Sequence, residues 1–376
     1  MNRVRHAEVV GAGLAGLTAA IALARTGWTV RVHETSPELR MFGAGIWLWE
    51  NGLRVLSTIG ALEKTLERSD QLSRWEIRDD RNRLLISRDF ASDDRLFIPP
   101  RELLYDALLD VAGEEGVEVT TSSTAVSATA EGTLELQNGS VLRADLIVAA
   151  DGHRSRIRES LGLTGRAFYK QEGCTRLLIP REPGDPSTVA TEYWRGHRRL
   201  LYCPSSDEVN YVCLVLRTSD ERGKSVPIDK ETWVESFPHL ERYIRRFGTE
   251  GRWDVLSHVD CKSWSRGRVA IIGDAAHAQP PNLGQGANLA FANALAMAVA
   301  LADGSDIPAA LRTWEERERP LTDHTQKWTN IYGRIAEHWP ARLHDVRSAM
   351  VWGTGRSEWL ARQLNRAANS SPTGTD

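Results

Sequence analysis

Two stretches decide the fold: Ala7-Glu8-Val9-Val10-Gly11-Ala12-Gly13-Leu14-Ala15-Gly16, and Thr29-Val30-Arg31-Val32-His33-Glu34. The first four residues read as a short buried strand. A Gly-x-Gly-x-x-Gly turn follows directly, then an Ala- and Leu-rich helix from Leu17 to Arg25, stopped at Gly27. The second stretch is another strand, and its acid falls close to the ~20 residues at which such folds place a ribose-binding carboxylate. Each glycine has a task. Gly11 permits the tight turn, Gly13 lets backbone approach a pyrophosphate, and Gly16 lets the helix pack closely on the sheet. The helix N-terminus offers free N–H groups and a positive dipole to phosphates. Glu34 can accept hydrogen bonds from a ribose diol and disfavours a 2′-phosphate there.

The rest of the 376 residues narrows the class. The chain is 41% apolar and 26% charged, an ordinary globular balance. Lys plus Arg is 47 against 50 Asp plus Glu, a net charge of −3. A dominant basic face for nucleic acid is therefore not expected. No segment reaches the ~18 consecutive apolar residues of a membrane span, and the N-terminus does not read as a signal peptide. The four cysteines (Cys174, Cys203, Cys213, Cys261) show no CxxC and no metal-ligand spacing. That argues against a disulfide scaffold, a zinc module or a dithiol redox enzyme, and fits the reducing cytoplasm. No metal site is expected. One count is unusual: 13 Trp against 7 Tyr and 7 Phe.

Two further motifs lie downstream. Asp145-Leu146-Ile147-Val148-Ala149-Ala150-Asp151-Gly152 is a buried strand ending in Asp-Gly, followed by Ser155 and Arg158. Arg268-Val269-Ala270-Ile271-Ile272-Gly273-Asp274-Ala275-Ala276-His277 is another, followed by Pro280-Pro281 and Gly284-Gln285-Gly286-Ala287-Asn288, which opens an Ala-rich helix to Ala302. The series GxGxxG, DGxxSxxR and GDAAHxxxPxxGQGxN resembles the FAD-dependent aromatic hydroxylases, single-component monooxygenases with the p-hydroxybenzoate hydroxylase fold. Arg101-Glu102-Leu103-Leu104 matches that family's R-x-x-L helix start. Phe42-Gly43-Ala44-Gly45-Ile46, Asn51-Gly52-Leu53-Arg54-Val55-Leu56 and Ser225-Val226-Pro227-Ile228-Asp229 resemble its pyridine-carboxylate oxygenases.

The resemblance implies an α/β protein: a Rossmann-like FAD-binding domain with an inserted, mostly antiparallel substrate sheet and C-terminal helices. The expected division is 1–71, 99–170 and 262–320 for the FAD domain, 72–98 and 171–261 for the substrate domain, 321–368 for helices broken by Pro320 and Pro340, and a disordered tail at 369–376. It implies FAD contacts from Gly11, Gly13, Leu14, Ala15, Gly16, Glu34, Thr35, Arg40, Gly45, Ile46, Arg101, Asp151, Gly152, Arg158, Gly273, Asp274, Pro281, Gly284, Gln285, Gly286, Ala287 and Asn288. The helix opened by Ala287 would turn its positive end to the flavin edge that becomes anionic on reduction. His277 is expected to belong to the motif scaffold rather than to act as a base.

The implied reaction is hydroxylation of an electron-rich aromatic or heteroaromatic acid, of the hydroxypyridine-carboxylate or hydroxy- or aminobenzoate kind. NADH or NADPH reduces FAD, and O₂ then gives a flavin C4a-hydroperoxide. The flavin carries that chemistry, so no acid–base residue is expected to be catalytic. Substrate contacts are expected from Arg199 (a carboxylate partner), Tyr211, Pro281 and Trp75. Trp75 stands where the relatives have a tyrosine, and an indole cannot accept a phenolic hydrogen bond. Trp47, Trp49 and Trp194 are expected near the pocket, and Trp314, Trp328, Trp339, Trp352 and Trp359 in structural roles. The enzyme is expected as a monomer or homodimer. The rival readings are a reductase or epoxidase of the same fold on a non-aromatic substrate, and a non-catalytic binding protein that has lost the flavin motifs.

Overall fold

The computed structural model describes residues 4–39, 44–249, 251–302 and 306–375. A six-stranded sheet forms the first layer. Its strand order is Ser265–Arg266, Val269–Ile271, Leu146–Ala149, His6–Val10, Thr29–His33, Glu118–Thr120. The last five are parallel, with Val9 level with both Val32 and Val148. Parallel strands buried on both faces read as continuous apolar runs, which is why Leu146, Ile147, Val148 and Ala149 carry no polar residue. The Leu14–Arg25 and Gly286–Leu301 helices belong to the same core. Gly11 sits at φ +101°, and a Cβ there would meet the Ala150 carbonyl oxygen at 2.5 Å; one on Gly16 would meet the Gly11 oxygen at 1.9 Å. The fingerprint is thus a steric requirement of the strand–helix turn.

The second layer is a seven-stranded sheet, ordered Arg252–Cys261, Thr164–Pro180, Val209–Arg217, Arg198–Pro204, Val189–Arg195, Arg74–Asp79, Leu84–Asp89. All neighbours are antiparallel except Val189–Arg195 and Arg74–Asp79, which run parallel with Trp75 level with Ala190. That one pairing joins the two inserted segments, which are far apart in the chain and so need no hairpin between them.

A 31-residue helix, Ile307–Glu337, ties the layers together. Pro320 does not break it as expected. The ring removes one backbone donor, but the helix is held on both sides of it. Trp314 is buried in the core of the dinucleotide-binding domain, and Tyr332 and Ala336 pack with Ile77, Trp194 and Val351 at the second sheet. The tail expected to be disordered is packed too. Pro372 is buried, Thr373 donates to Glu318 Oε1 at 2.8 Å, and Arg54 reaches Ser371. Its small polar residues find partners there; composition alone does not reveal those partners.

Candidate active site

A cavity of about 630 Å³ is lined by both layers and by the C-terminal helices. Gly13, Leu14 and Ala15 reach it from the first helix start, Gly152 from the middle motif, and Gly273, Asp274, Pro281, Gly284, Gln285, Gly286 and Ala287 from the third. Three stretches far apart in sequence therefore meet at one groove, because each follows a parallel strand at its carboxyl end, where ligands of open α/β sheets bind.

The groove is shaped for close backbone approach. A Cβ on Gly13 would meet nothing within 4 Å, so that backbone lies open to the cavity. Gly284 takes the left-handed conformation at φ +62°, against Trp47 and Trp49. Glu34 ends the second strand. Its Oε2 accepts from Ala12 N–H at 2.9 Å and its Oε1 from Ser36 N–H at 2.8 Å. The carboxylate is thereby fixed beside the glycine turn, where a ribose diol would sit. Gly45 and Ile46 line the cavity, and a Cβ on Gly45 would meet the Tyr211 ring at 2.6 Å. Arg101 begins the Arg101–Glu114 helix and lines the cavity. Its Nε is buried and has no hydrogen-bond partner among the described residues. Burial, and then the neighbouring Arg176, push its pKa down. A buried N–H of a guanidinium without a partner calls for an acceptor. Gln285 Nε2 is likewise a buried donor without a partner.

Several expected contacts fall elsewhere. Arg158 is interior and does not line the cavity: its guanidinium bonds to Thr164 Oγ1 and the carbonyls of Ala275 and His153, so three of its five N–H donors staple two motifs together. Asn288 is buried and does not line the cavity. It accepts from Trp49 N–H and donates to the Trp47 and Gly284 carbonyls, bracing the tryptophan strand against the glycine loop. Asp151 stands behind Gly152, its carboxyl raised by burial, with Oδ2 accepting from Ile157 N–H. Thr35 is exposed and does not line the cavity. Arg40, like Phe42-Gly43, lies outside the described residues. His277 is fully interior; burial, against the pull of Asp274, brings its pKa down to about 4, and Asn293 donates to its Nε2 at 3.2 Å. A neutral, hydrogen-bonded imidazole is scaffold.

On the substrate side, Trp75, Tyr211 and Pro281 line the cavity as expected. Trp47 stands 5.7 Å from Trp49 and edge-on to Trp75 at 6.0 Å, forming an aromatic wall. Trp194 does not join it; it packs edge-on to Tyr332 in a separate core. Arg199 lines the cavity but is already paired. Glu192 Oε1 lies 2.8 Å from Nη1, Glu337 takes Nη2, and Asn282 Oδ1 accepts from Nη2 as well. Arg176, which sequence reading missed, lines the cavity with no ion pair among the described residues. Its signal is its register: it pairs with Cys213, two residues from Tyr211, on the neighbouring strand. Also missed were Thr354, Gly355, Ser357, Leu360, Ala361 and Leu364, which line the cavity from the C-terminal helices.

The FAD binding domain model matches residues 5–328. The chain belongs to that family. A Rhodococcus erythropolis protein provisionally named a 2-heptyl-3-hydroxy-4(1H)-quinolone synthase is 44% identical, covering 98% of this chain and 97% of the relative. A 2-heptyl-3-hydroxy-4(1H)-quinolone synthase of Mycobacteroides abscessus is 40% identical over 94% of this chain and 95% of its own. The tetrameric form of 2-methyl-3-hydroxypyridine-5-carboxylic acid oxygenase superposes with a TM-score of 0.87 at 39% identity, covering 99% of this chain and 98% of that one.

This family member is thus an FAD-dependent monooxygenase of aromatic substrates. The groove fits its cofactor: the open backbone at Gly13, the fixed Glu34 carboxylate and the unpaired donors of Arg101 and Gln285 are the groups that would hold FAD. When bound, FAD supplies the oxygen-transfer chemistry. The protein's part would be to hold the ring and exclude water, and the N-terminus of the Gly286–Leu301 helix, which lines the groove at Gly286 and Ala287, would offer its positive end to the flavin. Among the described residues no helix is long and apolar enough to cross a membrane.

Proposed function

We propose that this monooxygenase hydroxylates a heteroaromatic ring that carries an apolar substituent, of the 2-alkyl-4(1H)-quinolone kind, with NADH or NADPH as the reductant. The observation that carries this reading is the composition of the cavity wall. Trp47, Trp49 and Trp75 give aromatic faces, Leu360, Ala361 and Leu364 give aliphatic surface, and Arg199 is occupied by two carboxylates. With Arg199 engaged, the aromatic and aliphatic faces dominate this part of the wall, which suits a ring with an apolar substituent. The relatives named for a 2-heptyl-3-hydroxyquinolone product support it.

Arg176 and Tyr211 are the groups proposed to meet the ring oxygen. Both face the cavity, and burial raises the Tyr211 pKa, keeping its hydroxyl a donor. Oxygen transfer to the ring carbon beside a ring hydroxyl or ring carbonyl is favoured when that oxygen donates electron density. A cation beside it favours the electron-rich oxyanion of a ring hydroxyl, the form that donates to the attacked carbon. Trp75 stacks, and the surrounding apolar wall keeps water from the reacting carbon.

A second reading keeps the aromatic acid, and Arg176 favours it. Its guanidinium has no ion pair among the described residues and could receive a substrate carboxylate. The discriminating experiment loads the purified protein with FAD and follows NADH or NADPH oxidation with O₂ uptake. The panel holds 2-alkyl-4(1H)-quinolones, hydroxypyridine carboxylates and aminobenzoates. Stimulation by quinolones with hydroxylated product is expected. Stimulation by the acids alone establishes the second reading, and stimulation by neither removes both.

A further inference from the structure

The cavity opens to solvent beside the C-terminal helices. Thr354, Gly355, Ser357 and Ala361 line it and are at the same time exposed. The cavity therefore reaches solvent where the His344–Thr354 helix gives way to the Glu358–Leu364 helix. Leu360 and Leu364 line it from deeper positions. Two large aromatics bracket this stretch in the open: Trp352 at 52% and Trp359 at 63% exposure. Neither ring is loose. Arg356 lies over Trp352 at 3.8 Å, and Trp359 stands edge-on to Trp328 at 5.9 Å.

We propose that this opening takes the aliphatic substituent of the ring substrate, which runs past Leu364, Leu360 and Ala361 and leaves between the two helices. The inference rests on the ring-hydroxylase reading above and deepens it. Among the lining residues nearby, the charged side chain is Arg88, and it is engaged: both Asp94 oxygens accept from it at 2.8 Å, and it lies over Trp49 at 4.8 Å. An alkyl chain can enter without stripping water from an unpaired charge. Each methylene inside the channel is worth about fourfold in affinity. Past the exposed rim a further methylene returns to water and adds nothing. Affinity is therefore set by chain length up to the rim and then levels off.

The test is a binding titration on the full-length FAD-loaded protein, read from the flavin difference spectrum, with 2-alkyl-4(1H)-quinolones from methyl to nonyl. Affinity is expected to climb steeply with chain length and then plateau. Ala361→Phe, on the exposed side of its helix, narrows the opening. It is expected to weaken the heptyl compound by about tenfold and the methyl compound by less than about threefold. Equal affinity of methyl and heptyl compounds, or an equal loss of both in Ala361→Phe, overturns the opening while the ring reading stands. No spectral change with any homologue overturns the quinolone reading and this inference with it.

Discussion

Arg199 Nη1 donates to Glu192 Oε1 at 2.8 Å within the cavity wall, and both side chains are buried. With Glu337 on its other amino group, this arginine closes a network with the Tyr332 hydroxyl, which donates to Glu192 Oε2 at 2.7 Å. Removing one partner of a buried ion pair costs about 3–5 kcal/mol, because the other charges stay behind. Arg199→Met is therefore expected to lower the melting temperature by at least about 5 °C. FAD content should stay intact, and KM for the ring substrate should move by less than about threefold. A KM raised tenfold at an unchanged melting temperature would return Arg199 to the substrate site.

The contrast between Arg199 and Glu34 shows how far a sequence can be read. The place of Glu34 was legible because it is set locally: a strand, a glycine turn and a fixed spacing put its carboxylate beside the turn. The same holds for Gly11, Gly16 and Gly284, where backbone geometry excludes a Cβ. The partners of Arg199 and Arg158 were not legible because they lie far along the chain, at Glu337 and Ala275. Nothing in either local sequence says that a guanidinium is already satisfied. Arg176 and the Leu360–Leu364 wall were missed for the same reason: register across strands and the docking of the last helices decide what faces the cavity.

Glu34→Gln tests the ribose contact directly. The fixed carboxylate accepts from two backbone N–H groups beside the glycine turn, leaving its remaining lone pairs for a diol. Hydrogen bonds to a charged group are worth about 1.5–3 kcal/mol. The FAD dissociation constant is expected to rise by roughly 10- to 100-fold in a fluorescence titration of apoprotein, with the fold retained by circular dichroism. An unchanged constant would place the ribose elsewhere.

His277 makes a prediction about pH. Burial holds its folded-state pKa at about 4, below the ordinary value of 6.5. Between these values the unfolded chain binds the extra proton, so stability falls as pH drops through that window. Urea melts at pH 7 and pH 5 should show the loss. His277→Asn, which keeps a polar partner for Asn293, should flatten this part of the pH dependence. The rate profile should carry no inflection from this residue, since a neutral imidazole bonded to Asn293 does not take up a substrate proton.

Trp75 should decide substrate choice. Its ring stands edge-on to Trp47, and its Nε1 is a buried donor with no partner among the described residues. That donor can meet a ring carbonyl but can accept nothing. Trp75→Tyr shortens the wall and adds a hydroxyl that both donates and accepts, which suits a ring hydroxyl or a carboxylate. The ratio of kcat/KM for 2-alkylquinolones to that for hydroxypyridine carboxylates is expected to fall by at least about tenfold, the equivalent of one hydrogen bond gained and some stacking lost. The change should appear in KM more than in kcat, because the residue touches the ring in the ground state and the transition state alike. An unaltered ratio would mean that the indole packs against Trp47 and takes no part in recognition.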